Sequence, residues 1–148
     1  MVCLALMNIG FLYATAAAVT WGIVYAIDQK ILSGTPPLTL VFVDAIITAL
    51  VVLPFLLFDG GSIQSVLVSG KFNWTLIVLS ILLATLANYL IFSGIKLVGA
   101  SSASTIEIAY PFFVVLFSFL FFRTLPNIYF AVGGVLIFIG AAIITYFH

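Results

Sequence analysis

The chain has 148 residues, 66% of them hydrophobic and 5% charged, with four basic and four acidic side chains and no net charge. A soluble domain carries about 25% charged residues, so this composition excludes a water-facing globule and places the chain in lipid. Zero net charge argues against a nucleic-acid partner, and the single cysteine, Cys3, excludes an internal disulfide and a cysteine-built metal site.

A helix needs about 20 mostly apolar residues to cross a hydrocarbon core of about 30 Å. The leading "MVCLALM" has no charged n-region and no small-residue cleavage site, so no removable signal peptide is expected, and residues 1–6 and 148 are given no role. The first apolar run covers 8–32. "SGTPPL" then ends it, with Gly34, Pro36 and Pro37 as turn residues. The second run, 38–58, stops at the polar "DGGSIQSVLVSGK". The third covers 72–95, and the short "KLVG" leads to the fourth, 100–122. "RTLPN" leads to the fifth, 126–147, with a proline near its first turn. These runs are apolar on both parities, which discounts the alternating segments of about 10 residues that a barrel needs. The expected fold is therefore all-α: a single polytopic domain over 1–148 with five transmembrane helices.

Five spans put the termini on opposite sides of the membrane. Lys71 and Arg123 fall on the N-terminal side, Lys30 and Lys96 on the C-terminal side. By the positive-inside rule the count is balanced. The plain reading is a weak orientation signal. The sharper reading is a chain that inserts both ways round, two copies pairing antiparallel.

Three carboxylates share one depth. Asp44 lies six residues into the second span, Glu107 seven into the fourth, and Asp28 four before the end of the first. At 1.5 Å per residue these depths are about 6–10 Å from the same side. A carboxylate in hydrocarbon costs roughly 2.5–3.5 kcal/mol on insertion scales, so each needs a reason to be there. Asp28 and Asp44 have interfacial lysines within reach, Lys30 and Lys96, as a structural reason; Glu107 has no basic residue nearby in its own helix. Trp21, Tyr25 and Asp28 form one helix stripe, and Glu107, Tyr110, Pro111, Val114 and Ser118 another. Asn88 shares a face with Thr85 in the third span. Pro111 is expected to leave the carbonyl of Glu107 without its usual donor, which suits a wetted interior. In the fifth span Gly133 and Gly140, and likewise Gly134 and Ala141, are seven apart: a small-residue stripe for close helix contact, within one chain or at a dimer seam.

Three segments, "AAAVTWGIVYAI", "ANYLIFSGIKLVGASSASTIEIAYPFFVVLFSFLFF" and "PNIYFAVGGVLIFIGAAII", resemble a single EamA-type domain of the drug/metabolite transporter superfamily over about residues 9–146. Ala100 to Ser104, Pro111, Gly133 and Gly140 match its pattern of a small-residue start to the fourth span, a proline inside it, and spaced glycines in the fifth. Two places depart from it: Arg123-Thr124 stands where a Gly-Glu pair is common, and Asp44 where an arginine is often found early in the second span. The resemblance implies one five-helix half of a ten-helix fold built from inverted repeats, which meet around a midplane site and alternate access by rocking. The missing half must then come from a second copy or another protein.

The function expected is secondary transport of small metabolites or cations, as an antiparallel homodimer in a prokaryotic inner membrane. A carboxylate in low dielectric tends toward its neutral form, so Glu107 is a candidate proton carrier, with Asp44 and Asp28 as helpers. Trp21, Tyr25 and Tyr110 are candidates for stacking on substrate, and Asn88 for a polar contact. The alternative is a non-transporting subunit or scaffold of a larger complex; a cation channel lined by carboxylates is a further one. No catalytic residue, metal or cofactor is expected: no serine or cysteine pairs with a base, and the only histidine is His148.

Overall fold

The computed structural model describes residues 2–59, 62–68, 70–123 and 127–147, the side chains of 2–8, 62, 65 and 147 excepted. Among these residues the regular elements are helices: α1 (Val2–Leu32), α2 (Pro37–Phe58), α3 (Ser62–Leu67), α4 (Lys71–Val98), α5 (Ala100–Glu107), α6 (Tyr110–Phe122) and α7 (Ile128–Phe147). Five stretches are long and apolar enough to cross a membrane: Ile9–Leu32, Pro37–Phe58, Lys71–Val98, Ala100–Phe122 and Ile128–Tyr146. They agree with the expected spans within a few residues at each end. The expected start of the fifth, at Pro126, lies outside the described residues, as does Thr124 of the Arg123-Thr124 pair.

Proline and glycine set the boundaries. Pro36 is extended (φ −65°, ψ 140°), as the residue before a proline tends to be. Pro37 then opens α2, where its missing N–H costs nothing. Gly99 joins α4 to α5 alone. Its N–H donates to the Ile95 carbonyl at 2.9 Å, and its own carbonyl accepts the Ala103 N–H at 3.1 Å. This needs φ +83° with ψ 160°, a region open to glycine and almost nothing else. Arg123 closes α6 in the left-handed conformation (φ 55°), its N–H on the Phe119 carbonyl at 3.0 Å. The polar connection after α2 contains the six-residue α3.

The fourth span differs most from its expected form, because it is two helices. α5 stops at Glu107 and α6 starts at Tyr110. The Ala109 N–H tightens onto the Ile106 carbonyl (3.2 Å), and the Phe112 N–H onto the Ala109 carbonyl (3.1 Å). Pro111 thus falls in the first turn of a new helix, where no i−4 bond is asked of it. The break resolves the proline problem by restarting the helix rather than by kinking one.

The chain divides into two units. The first comprises Met1–Ile31 with Gly94–His148, the second Leu32–Ser93. In the first, α7 packs against both α5 and α6. Small residues make this possible. Gly134 is buried, and a Cβ there would meet Phe112 Cα at 3.6 Å. Ala141, one repeat further on, is buried too. Phe112 and Phe138 add a tilted ring contact at 5.7 Å. Gly94, at the end of α4, lies 3.6 Å by its would-be Cβ from the Ala103 methyl. Gly133 and Gly140 face open space, with nothing within 4 Å of a Cβ. In the second unit Leu32, Val41 and Phe92 are buried, and most other apolar side chains are exposed. For a membrane protein that exposure carries little cost, since lipid tails are as apolar as the side chains.

Candidate binding site

In the first unit, side-chain hydrogen bonds join α1 and α5. Tyr25 Oη donates to Glu107 Oε2 at 2.6 Å. Gln29 Oε1 accepts the Ala100 N–H at 2.8 Å. Residue 25 pairs with 107 and 29 with 100, so the two helices are antiparallel, as a first and a fourth span must be. The second bond satisfies one of the free N–H groups at the start of α5, whose own N-cap, Gly99, has no side chain to do so. The first bond sits at the other end of α5, on the last residue before the helix break.

The Tyr25–Glu107 distance is in the range of a hydroxyl donating to a carboxylate, about 2.5–2.7 Å. Both side chains are half-buried. One turn along α1, the Trp21 ring lies 5.4 Å from the Tyr25 ring, centroid to centroid, inclined at 46°. Trp21 is 50% exposed, so one side of this aromatic corner is open. Asp28, next on the same stripe, is 7% exposed. Tyr110, in the first turn of α6, is 61% exposed.

The structure thus brings together Trp21, Tyr25 and Glu107 of the expected site residues, with Asp28 on the same helix stripe. Asp44 on α2 and Asn88 on α4 belong to the second unit, the first exposed and the second half-buried. Several hydroxyls within the spans are satisfied by their own helix. Thr85 Oγ1 donates to the Ile81 carbonyl (2.9 Å), Ser93 Oγ to that of Tyr89 (2.7 Å), and Ser104 Oγ to that of Ser101 (3.2 Å). A hydroxyl bonded in this way needs no ligand to be stable in a span. Gln29 is the residue that sequence reasoning passed over. Its signal was an amide one turn beyond Tyr25, opposite a helix that begins on a glycine.

Beside the α5–α6 turn lies a mostly apolar groove of about 470 Å³, lined in part by Ile106, Ala109, Phe138 and Ala141, with Thr145 and Tyr146 at one end. Thr145 Oγ1 is already bonded to the Ala141 carbonyl at 2.9 Å. The groove leaves room next to the break but brings no charged group.

Chemically, Tyr25 gives Glu107 a hydrogen bond and no charge. An ionised carboxylate at this depth still needs a proton or a cation to neutralise it. Among the described residues no cluster of histidine, cysteine and carboxylate side chains has the makings of a metal site. A family model described as the EamA-like transporter family matches residues 8–146. No curated protein and no solved structure matched the chain.

Proposed function

Because the chain belongs to the EamA-like transporter family, we propose that it is a secondary transporter of small metabolites or cations, with Glu107 exchanging a proton for substrate. The family is one of transporters, not of enzymes, and the five spans make the chain an integral, multi-pass membrane protein. The observation that carries the finer reading is the Tyr25–Glu107 bond at the α5–α6 break. It supports a carrier because the one group that must change charge sits on the residue that ends a helix inside the span. A change in its bonding there acts on a joint and not on a rigid rod.

The working unit in this reading is an antiparallel homodimer, the second copy supplying an inverted half so that the pair alternates access. The balanced count of Lys30 and Lys96 against Lys71 and Arg123 supports it. Asp28, Asp44, Asn88 and Tyr110 are the further residues proposed to serve the substrate pathway. No cofactor beyond the proton is required, and the proposed location is a prokaryotic inner membrane.

The test is purified protein in liposomes holding a pH-reporting dye, with pools of amines, amino acids and other small metabolites added outside. Substrate-dependent proton movement is expected, together with its loss in Glu107→Gln while tracer exchange survives. Unchanged proton-linked flux in Glu107→Gln would remove Glu107 from the mechanism. No flux with any pool would favour a non-transporting subunit instead.

A further inference from the structure

We infer that the Tyr25–Glu107 pair selects ammonium groups that carry N–H over quaternary ones, and that its cargo is an arylalkylamine; this rests on the reading of Glu107 as the substrate-binding carboxylate. The argument starts from the acceptors. A carboxylate offers about four lone-pair positions on its two oxygens. Tyr25 Oη uses one of them, on Oε2. Among the described residues no other donor is seen on Glu107, which leaves Oε1 as the acceptor that we assign to the ligand. The tyrosine oxygen, having directed its own proton at Glu107, keeps its lone pairs as acceptors. Two acceptors therefore lie side by side, one of them charged. An ammonium with two N–H groups bonds both at once. A quaternary ammonium bonds neither and is left with attraction to charge and ring faces alone.

The apolar part of the cargo follows from α1. Trp21 is one turn, about 6 Å, from Tyr25 along the helix. Its ring is tilted 46° to that of Tyr25 and half open. The two rings form a corner rather than a closed stack, and a flat group lying against Trp21 would sit one helix turn from Tyr25, the donor to Glu107. A ring joined to the nitrogen by a short alkyl linker has that reach. An aliphatic polyamine has only a second ammonium to set over a ring face and no flat group to stack on it.

The test uses the intact binding site and a paired probe. The chain has two tryptophans, so Trp74→Phe leaves Trp21 as the only one, at the proposed site. In lipid nanodiscs at neutral pH, Trp21 fluorescence is titrated with phenethylammonium and, separately, with its trimethylammonium analogue. Saturable binding of the first, about tenfold or more tighter than the second, is expected from the loss of hydrogen bonds to a charged acceptor. Glu107→Gln in the same background should weaken the amine by about tenfold or more and narrow the gap between the two probes. Equal affinities, tighter binding of the quaternary probe, no saturable binding of either up to millimolar concentration, or an amine affinity untouched by Glu107→Gln would each overturn the inference. Flux in liposomes is measured independently, so a carrier that fails this test remains a carrier, one selecting its cargo on other grounds.

Discussion

The link between α1 and α5 has a measurable energy. The perturbation is a double-mutant cycle of Tyr25→Phe and Glu107→Leu, each removing one partner while keeping side-chain bulk. A hydrogen bond to a charged group contributes about 1.5–3 kcal/mol. Hydrogen bonds between membrane helices average only about 0.6 kcal/mol, because partners are found in the unfolded state as well. The Tyr25–Glu107 bond is 2.6 Å long, a charge-assisted length, but both groups are half-buried. The lower end of the charged range is therefore expected, a coupling of about 1.5 kcal/mol. The single change Tyr25→Phe should cost about 1–3 kcal/mol, since it leaves the carboxylate with no protein donor among the described residues. The assay is reversible unfolding in mixed micelles, followed by tryptophan fluorescence. Repeating the cycle with Glu107→Gln, which keeps the acceptor and drops the charge, should bring the coupling toward about 0.6 kcal/mol. A coupling indistinguishable from zero in the first cycle would refute the reasoning. The contact would then be an accident of proximity, leaving the Ala100–Gln29 bond between α1 and α5.

Three further outcomes follow from particular positions. Gly134→Ala should be tolerated within about 0.5 kcal/mol, because its Cβ meets Phe112 at an ordinary 3.6 Å, whereas Gly134→Leu should cost about 1–3 kcal/mol by forcing α6 from α7; thermal unfolding reads both, and Gly133→Leu, facing open space, is the control expected to change little. Arg123→Gly should raise stability by about 1 kcal/mol in the same assay, since glycine takes the left-handed conformation of the α6 terminus without the cost of a Cβ. For orientation, an N-terminal tag probed from each side should be found on both in the unaltered chain. In Lys71→Ala with Arg123→Ala it should lie on one side only, because Lys30 and Lys96 then hold the C-terminal side in the cytoplasm.

The spans were legible because lipid leaves few choices. A chain that is 66% hydrophobic, punctuated by "SGTPPL", "KLVG" and "RTLPN", has few other ways to satisfy its backbone. Pro111 was legible as a problem and not as its solution. A proline inside a span permits either one kinked helix or two helices meeting at a turn. The two differ by a couple of residues of tightened backbone at Ile108–Ala109, and composition does not weigh those. The small-residue stripe in the fifth span was visible as two parallel rows. Only the structure shows that the Gly134 row is filled by Phe112 while the Gly133 row is open.

The pairing of Tyr25 with Glu107 was nearer to hand. Depth was the argument that singled out the three carboxylates, and it was applied to charges alone. Tyr25 lies seven residues before the end of α1 at Leu32, and Glu107 seven after the start of α5 at Ala100. At 1.5 Å per residue both are about 10 Å from the same side. An unpaired carboxylate in hydrocarbon needs a donor at its own depth, and among polar side chains of the first span Tyr25 has that depth. The rule that found the acid therefore finds its partner as well, once neutral donors are counted with the charges. Asp44 satisfies the same depth rule, yet it belongs to the other unit and is exposed. Depth narrows a site to a layer of the membrane. Which members of the layer meet is decided by helix neighbours, and α1 and α5 are neighbours that the bonds of Tyr25 to Glu107 and of Ala100 to Gln29 join.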